Sequence, residues 1–469
     1  VSTQTRPIVP RGARPAVLGR PGQVLVASFA GAIVVGTLLL MLPIAVVSEP
    51  VPGPLPADVG PWGGAPVLAA LFTATSAVCV TGLIVVDTAT YWSPFGQVVV
   101  LALIQLGGLG IMTFASLLTI LLARRLGLRS RLIASASVRS VSLGDVRAIV
   151  IGVAKVGFGT EAVVAVVLAV RLATGYGAGL GESVWFGLFH SVSAFNNAGF
   201  ALYTDNLMGF VTDPWVCLPI AAAVVLGGLG FPVLFELRRH FRMPRKWSMH
   251  TKLVISGTVV LLLGGVITIT ALEWSNPQTL GPLDPAGKIL AGVFASVVAR
   301  TAGFNSIDVS AMHTQTWFAQ DVLMFIGGGP AGTAGGLKIT TFAVLFFIIV
   351  TEIRGGTAVN IFGRRLARSV HREATTVALL AVAVVMIGTW SLLIMTTFSL
   401  DQIVFEVVSA FATVGLSTGI THLLPAGGQL ILVALMFIGR LGPLTLASAL
   451  ALRSRSSYVE LPKERPIIG

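Results

Sequence analysis

Val80-Thr81-Gly82-Leu83 closes an apolar segment, and three strings of the same build close three others: Asn197-Ala198-Gly199-Phe200, Thr301-Ala302-Gly303-Phe304 and Thr413-Val414-Gly415-Leu416. Their glycines recur at intervals of about 110 residues, which is an internal repeat and not a scatter. A single membrane glycine needs no more explanation than close helix packing. Recurrence at one position of four repeats needs a shared cause, and four walls of one pore supply it. A cation leaving water needs backbone carbonyls in place of its hydration shell, and glycine permits the φ/ψ values that turn them inward. The path is therefore expected at Val80, Thr81, Gly82, Asn197, Ala198, Gly199, Thr301, Ala302, Gly303, Thr413, Val414 and Gly415, with the carbonyls before each glycine as ligands.

Composition places those strings in a bilayer. Of 469 residues 55% are hydrophobic and only 11% charged, with 53 glycines and 24 prolines. Many runs reach the ~20 apolar residues of a spanning helix, and they lack the alternation of a membrane β-barrel. The formal charge of +12 invites a nucleic-acid reading. However, the basic residues fall in five clusters, Arg6 to Arg20, Arg124 to Arg147, Arg238 to Lys252, Arg354 to Arg372 and Arg453 to Arg465. The loops of opposite parity carry mostly acids, among them Glu49, Asp87, Glu182, Asp205, Asp213, Glu273, Asp308 and Asp401. This is the positive-inside pattern of a multi-pass cell-membrane protein with both termini cytoplasmic, its basic clusters facing anionic lipid and no nucleic acid. Cys79 and Cys217 offer neither a disulfide framework nor a zinc site. The apolar run 24–47 is too long for a signal-peptide core and reads as a retained span.

Each repeat parses as a long helix, an acidic outer loop, a short helix ending at the string, and a second long helix. Long first helices are expected at 23–47, 148–172, 251–273 and 373–398, short ones at 65–79, 183–195, 286–299 and 402–412, and second helices at 94–124, 214–238, 317–353 and 428–452. The short helices cannot cross a bilayer and so re-enter, which is tolerated where protein or a water-filled cavity surrounds them. The expected fold is all-α: four tandem repeats, eight spans and four re-entrant helices around one pseudo-fourfold pore. The boundaries are a terminal segment 1–22, repeat 1 at 23–125, a linker 126–147, repeat 2 at 148–239, a linker 240–250, repeat 3 at 251–354, a linker 355–371, repeat 4 at 372–453 and a tail 454–469.

A second glycine pattern runs in phase with the first. The second helices hold Gly107-Gly108-Leu109-Gly110, Gly227-Gly228-Leu229-Gly230, Gly327-Gly328-Gly329 and Gly439-Arg440-Leu441-Gly442. In the third, Gly327, Gly328, Gly329, Pro330, Gly332, Thr333, Gly335, Gly336 and Lys338 crowd the stretch 327–338, where Pro330 removes a donor and glycine weakens the helix, so a break is expected. A nucleotide-binding loop is excluded, because Leu337 separates Gly336 from Lys338.

Taken together, Thr73 to Leu83, Phe195 to Phe200, Arg300 to Asn305, Gly332 to Thr341 and Gly439 to Pro443 resemble the potassium-translocating subunits of the Trk/Ktr/HKT superfamily, the Ktr type above all. The resemblance covers the chain after about residue 22 and implies potassium as the transported ion. It also implies a homodimer with one pore per protomer and a cytoplasmic ring of nucleotide-binding regulatory subunits. In that superfamily serine in place of the first filter glycine accompanies sodium permeation, so Gly82 favours potassium. The stretch 327–338 corresponds to an intramembrane loop that obstructs the pore and moves to open it. No covalent cofactor is expected, and sodium is a candidate activator.

Charged residues at membrane depth complete the reading. Arg440 is costly in a span and should face a cavity or a partner, either as a gate bonded to carbonyls around 328–336 or in a structural ion pair. Arg300 and Glu406 either brace the strings as a pair or bond locally. Lys155 and Glu161 lie about 120° apart on a helix and are not a pair. Asp87, Asp205, Asp308 and His313 either attract cations at the mouth or form a solvated loop face. Tyr458 to Gly469 is a disordered tail or, by resemblance, part of the dimer or regulator interface. The expected activity is potassium uptake down its gradient. A sodium-permeable or nonselective pore of the same fold is the alternative. An alternating-access transporter is disfavoured because the repeats run in one orientation, and an enzyme because no nucleophile elbow or phosphate loop is present.

Overall fold

The computed structural model describes residues 21–47, 60–125, 143–356 and 358–442. Most of the terminal segment 1–22 and of the linker 126–147, Pro443 with the rest of repeat 4, and the tail lie outside the described residues. The chain is a bundle of helices in chain order α1 (Pro21–Leu40), α2 (Val67–Val78), α3 (Pro94–Arg125), α4 (Leu143–Gly175), α5 (Leu180–Phe195), α6 (Pro214–Leu229), α7 (Phe231–His240), α8 (Met249–Glu273), α9 (Pro285–Val298), α10 (Thr314–Phe325), α11 (Ile339–Ile353), α12 (Arg368–Met395), α13 (Leu400–Ala412) and α14 (Ala426–Leu441).

Long and short helices occupy different environments, for a compositional reason. The four long first helices α1, α4, α8 and α12 are apolar over most of their length and keep only 22–28% of their spanning windows buried. The short α2, α5, α9 and α13 are lined with alanine, serine and threonine and are almost wholly buried toward their C-terminal ends. Lipid is as apolar as leucine, so hydrophobicity alone does not drive one helix inward in preference to another. Small residues do, by letting backbones approach. Their starts are fixed locally: the Asp284 carboxylate caps α9, and Ser399 with Gln402 forms a capping box on α13.

Packing closes the bundle on itself. Each second helix lies against the short helix of the following repeat, α3 on α5, α6 on α9, α10 on α13 and α14 on α2. The last repeat therefore meets the first.

Two second helices are not single runs: one bends where no bend was expected, and the other breaks over the glycine-rich stretch where a break was expected. The helix expected at 214–238 bends by 101° between α6 and α7 at Gly230, whose φ of 87° is followed by Pro232. That bend was not anticipated from sequence. The helix expected at 317–353 is interrupted from Ile326 to Lys338, over the glycine-rich stretch. Among the described residues four helices are long and apolar enough to cross a membrane, or five with α6 and α7 as one span. Linker 355–371 adds a hairpin, β1 (Asn360–Ile361) with β2 (Arg364–Arg365).

Candidate functional site

The four strings form a ring whose closure is visible at the glycines. A side-chain carbon built on Gly82 would collide with the Ala198 oxygen, on Gly199 with the Ala302 oxygen, on Gly303 with the Val414 oxygen, and on Gly415 with the Thr81 oxygen. The cycle passes through repeats 1, 2, 3 and 4 and returns to 1. The same carbon on Gly303 would also lie 3.2 Å from the Thr81 oxygen, which belongs to the diagonally opposite repeat. The four glycines and the carbonyls preceding them thus share one narrow axis.

Backbone geometry turns those carbonyls together. Val80, Asn197, Thr301 and Thr413 have φ of 57°, 59°, 75° and 50°, and Gly82, Gly199, Gly303 and Gly415 have φ of 92°, 71°, 69° and 96°. Thr81, Ala198, Ala302 and Val414 between them are not left-handed. In an ordinary strand successive residues alternate sides. Alternating the handedness cancels that alternation, so consecutive carbonyls face the same way. All four left-handed residues that open the strings carry β-branched or amide side chains, and each such conformation costs about 1–3 kcal/mol, to be held by its surroundings.

The helix ends hold it. In repeats 1, 2 and 4 the string opens with a paired cap: Val80, Asn197 and Thr413 donate to the carbonyls of Ala77, Ala194 and Ala410, and Thr81, Ala198 and Val414 donate to Ser76, Ser193 and Ser409. The same serines act again through their hydroxyls. Ser76 Oγ accepts from Gly82 N and Ser409 Oγ from Gly415 N, both at 3.0 Å, and Ser193 Oγ donates to the Phe200 oxygen at 2.8 Å. Repeat 3 has Val297 at that position, and there Ala302 donates to Val298 at 3.0 Å instead. These serines, six residues before each glycine, were missed from sequence although their spacing is readable.

The second glycine pattern has a steric cause. A side chain on Gly107 would strike the Val78 oxygen, on Gly227 the Phe195 oxygen, and on Gly439 the Phe411 oxygen, each four residues before the string glycine of its own repeat. The second helix thereby touches the C-terminal carbonyls of the short helix. Repeat 3 departs again: Arg300 Nη2 donates to the Gly327 oxygen at 3.1 Å.

The 326–338 segment lies under the ring. Its ends pair as Ile326 with Leu337, so it is a closed excursion from the helix. Gly329 N and Thr333 N donate to the Gly228 and Gly227 oxygens at 2.8 and 3.1 Å, and Phe231 N donates to the Ala331 oxygen at 3.2 Å, so the two interrupted helices satisfy each other's backbone. Thr333 Oγ1 donates to Asn197 Oδ1 at 3.0 Å, while a side chain on Gly335 would strike Thr413 Oγ1. Asn197 and Thr413 open opposite strings, so the segment crosses the axis. Lys338 Nζ turns back onto the Ala334 oxygen at 2.5 Å. The buried Arg440 donates to the oxygens of Thr333 and Gly107, which is the carbonyl-bonded arrangement and not an ion pair.

Other expected residues separate. Arg300 and Glu406 do not pair: Arg300 bonds Gly327, and the buried Glu406 accepts from Ser417 Oγ at 2.5 Å, Thr418 N at 3.0 Å and Thr421 Oγ1 at 2.8 Å. Each bonds within its own repeat, which removes the pairing alternative. Glu161 accepts from Gln105 at 3.1 Å and Asn196 at 3.2 Å, apart from Lys155. Glu273, counted among the loop acids, is fully buried at the end of α8 and accepts from Thr316, Thr279 and His313 N. Asp87 and Asp308 cap their own turns through Ala89 N and Ser310 N.

An all-α, multi-span membrane bundle with four backbone strings around one axis is the architecture of a cation-transport protein. Residues 63–459 match the TrkH family, described as cation transport protein. The chain is 41% identical over 453 residues to Ktr system potassium uptake protein B of Bacillus subtilis, covering 96% of this chain and 97% of the relative. It is 37% identical over 462 residues to the protein of the same name in Vibrio alginolyticus, 98% of each. It is 34% identical over 407 residues to potassium/sodium uptake protein NtpJ of Enterococcus hirae, 85% of this chain and 89% of the relative. The crystal structure of the potassium transporter TrkH from Vibrio parahaemolyticus superposes with a TM-score of 0.71 over 94% of this chain and 87% of that one, at 16% identity, which shows the fold. The chain belongs to the Trk/Ktr family of cation transport proteins.

Proposed function

We propose that the chain takes up potassium across the cell membrane, the ion shedding water among the carbonyls of the four strings. The observation that carries this is the closed cycle of glycine contacts combined with alternating handedness, which gives consecutive carbonyls one common direction. In this reading the fold has eight spans and four re-entrant helices, with the basic clusters and both termini on the cytoplasmic side. The 326–338 segment and Arg440 form the gate, since the segment lies across the axis and Arg440 bonds it to the first repeat. A homodimer regulated by a cytoplasmic nucleotide-binding ring is the assembly proposed, with sodium as an activator.

A sodium-permeable pore of the same fold is the second reading, favoured by a relative named for both ions. Flux into proteoliposomes under potassium, rubidium and sodium gradients separates them. Rubidium entry competed by potassium supports the first reading. Equal sodium entry supports the second, and absence of gradient-driven flux of any of the three rejects both.

A further inference from the structure

Linker 355–371 builds something that ion passage does not need. Its hairpin turns on Phe362 and Gly363, both left-handed at φ 48° and 75°, the two-residue turn that matches strand twist. Ile361, 1% exposed, packs with Leu253, Val344 and Ala374 and so fastens the hairpin to α8, α11 and α12. Arg365, on the second strand, is thereby held beside the start of α12. Between them lies a cavity of about 580 Å³ lined by Arg365, Arg368, His371, Arg372, Glu352 and Leu379 among others.

The electrostatics of that cavity are one-sided. The first turn of a helix has free N–H groups and a partial positive charge, usually met by an acid. On α13 that acid is Asp401 and on α9 the cap is Asp284. The first turn of α12 has no acid and no side-chain cap, and begins instead with Arg368 and His371. Among the described residues the ion pairs are Arg171 with Asp213 and His313 with Glu273, so Glu352 does not neutralise these arginines within ion-pair reach. The start of α12 and three arginines line one volume.

We propose that this cavity binds a phosphate group, presented by an acidic phospholipid headgroup or by a soluble phosphate. Guanidinium forks and free helix N–H groups match the tetrahedral oxygens of phosphate, and the volume falls in the ~300–1,000 Å³ range of small-ligand sites. Leu379 in the lining is 67% exposed, and Ile353, next in sequence to the lining residue Glu352, is 80% exposed, so apolar surface of the kind that meets acyl chains adjoins the cavity. That adjacency favours the lipid source. The inference rests on the membrane fold and not on the ion-path reading.

The test uses delipidated full-length protein in detergent, titrated with phosphatidylglycerol or phosphatidylcholine under native mass spectrometry, with a parallel arm that follows melting temperature against inorganic phosphate. The variant Arg365→Gln/Arg368→Gln/Arg372→Gln is compared with Arg242→Gln/Arg245→Gln/Lys246→Gln, which removes equal charge from another basic cluster. Phosphatidylglycerol retention should be saturable and weakened roughly tenfold in the first variant but not in the second. A phosphate-dependent rise in melting temperature lost in the first variant, without lipid retention, supports the soluble source. Equal binding by wild type and the first variant in both arms, or equal loss in both variants, overturns the proposal. If the triple variant aggregates, Arg365→Gln and Arg368→Gln singly are read the same way.

Discussion

Arg440 Nη2 donates to the backbone oxygen of Gly107 at 3.0 Å, joining the last repeat to the first, while Nη1 donates to the Thr333 oxygen of the third. One guanidinium thus ties three repeats together beneath the ring. Hydrogen bonds from a charged group are worth about 1.5–3 kcal/mol each. Arg440→Ala should release the 326–338 segment, raise rubidium flux severalfold and lower the melting temperature. Unchanged flux in well-folded protein would remove Arg440 from the gate.

Gly82→Ala should abolish uptake. Its φ of 92° strains any L-residue, and the added methyl would occupy the space of the Ala198 oxygen. The check is rubidium uptake normalised to protein in the membrane, where retention of more than about a tenth of wild-type rate would contradict a backbone-lined path through this ring.

Gly107→Ala and Gly110→Ala form a matched pair three residues apart. The first would drive a methyl into the Val78 oxygen, whereas the second meets nothing within 4 Å. Overpacking costs about 1–3 kcal/mol, so thermal unfolding in detergent should drop for Gly107→Ala. Gly110→Ala should be neutral or gain up to about 1 kcal/mol from helix propensity. Equal effects would show that the second glycine pattern is not set by this contact.

Ser409→Ala leaves the Gly415 N–H without its hydroxyl acceptor, a buried loss of about 1–3 kcal/mol. Because that donor orients the fourth string, selectivity should suffer before folding does. The expected result is a lower ratio of potassium to sodium flux with near-normal expression. An unaltered ratio would make the serine a packing residue alone.

Glu406→Ala strips Ser417, Thr418 and Thr421 of their shared acceptor and should unfold the outer segment after the fourth string. Glu406→Gln keeps one acceptor oxygen and should retain more uptake. Proteolysis of membranes from both variants distinguishes them, and equal resistance would show that the carboxylate is dispensable.

Much of this molecule is local and so was readable in the chain. The strings, the short helices and the interruption at Pro330 follow from glycine, proline and small-residue positions, because backbone permission and helix propensity act within a few residues. The paired cap serines were equally local. Ser76, Ser193 and Ser409 went unread because serine in an apolar helix has the bland explanation of close packing.

Sequence alone determined that a glycine string closes a short helix four times over and that the chain lives in lipid. Only the tertiary structure decided who touches whom across hundreds of residues. At the Gly230 bend the Pro330 oxygen lies where a side chain would stand, and Arg300 turns to the Gly327 carbonyl, at the start of the interruption, instead of to Glu406. Contacts of this kind depend on the closing of the ring, and a buried polar group takes whichever partner the closure delivers.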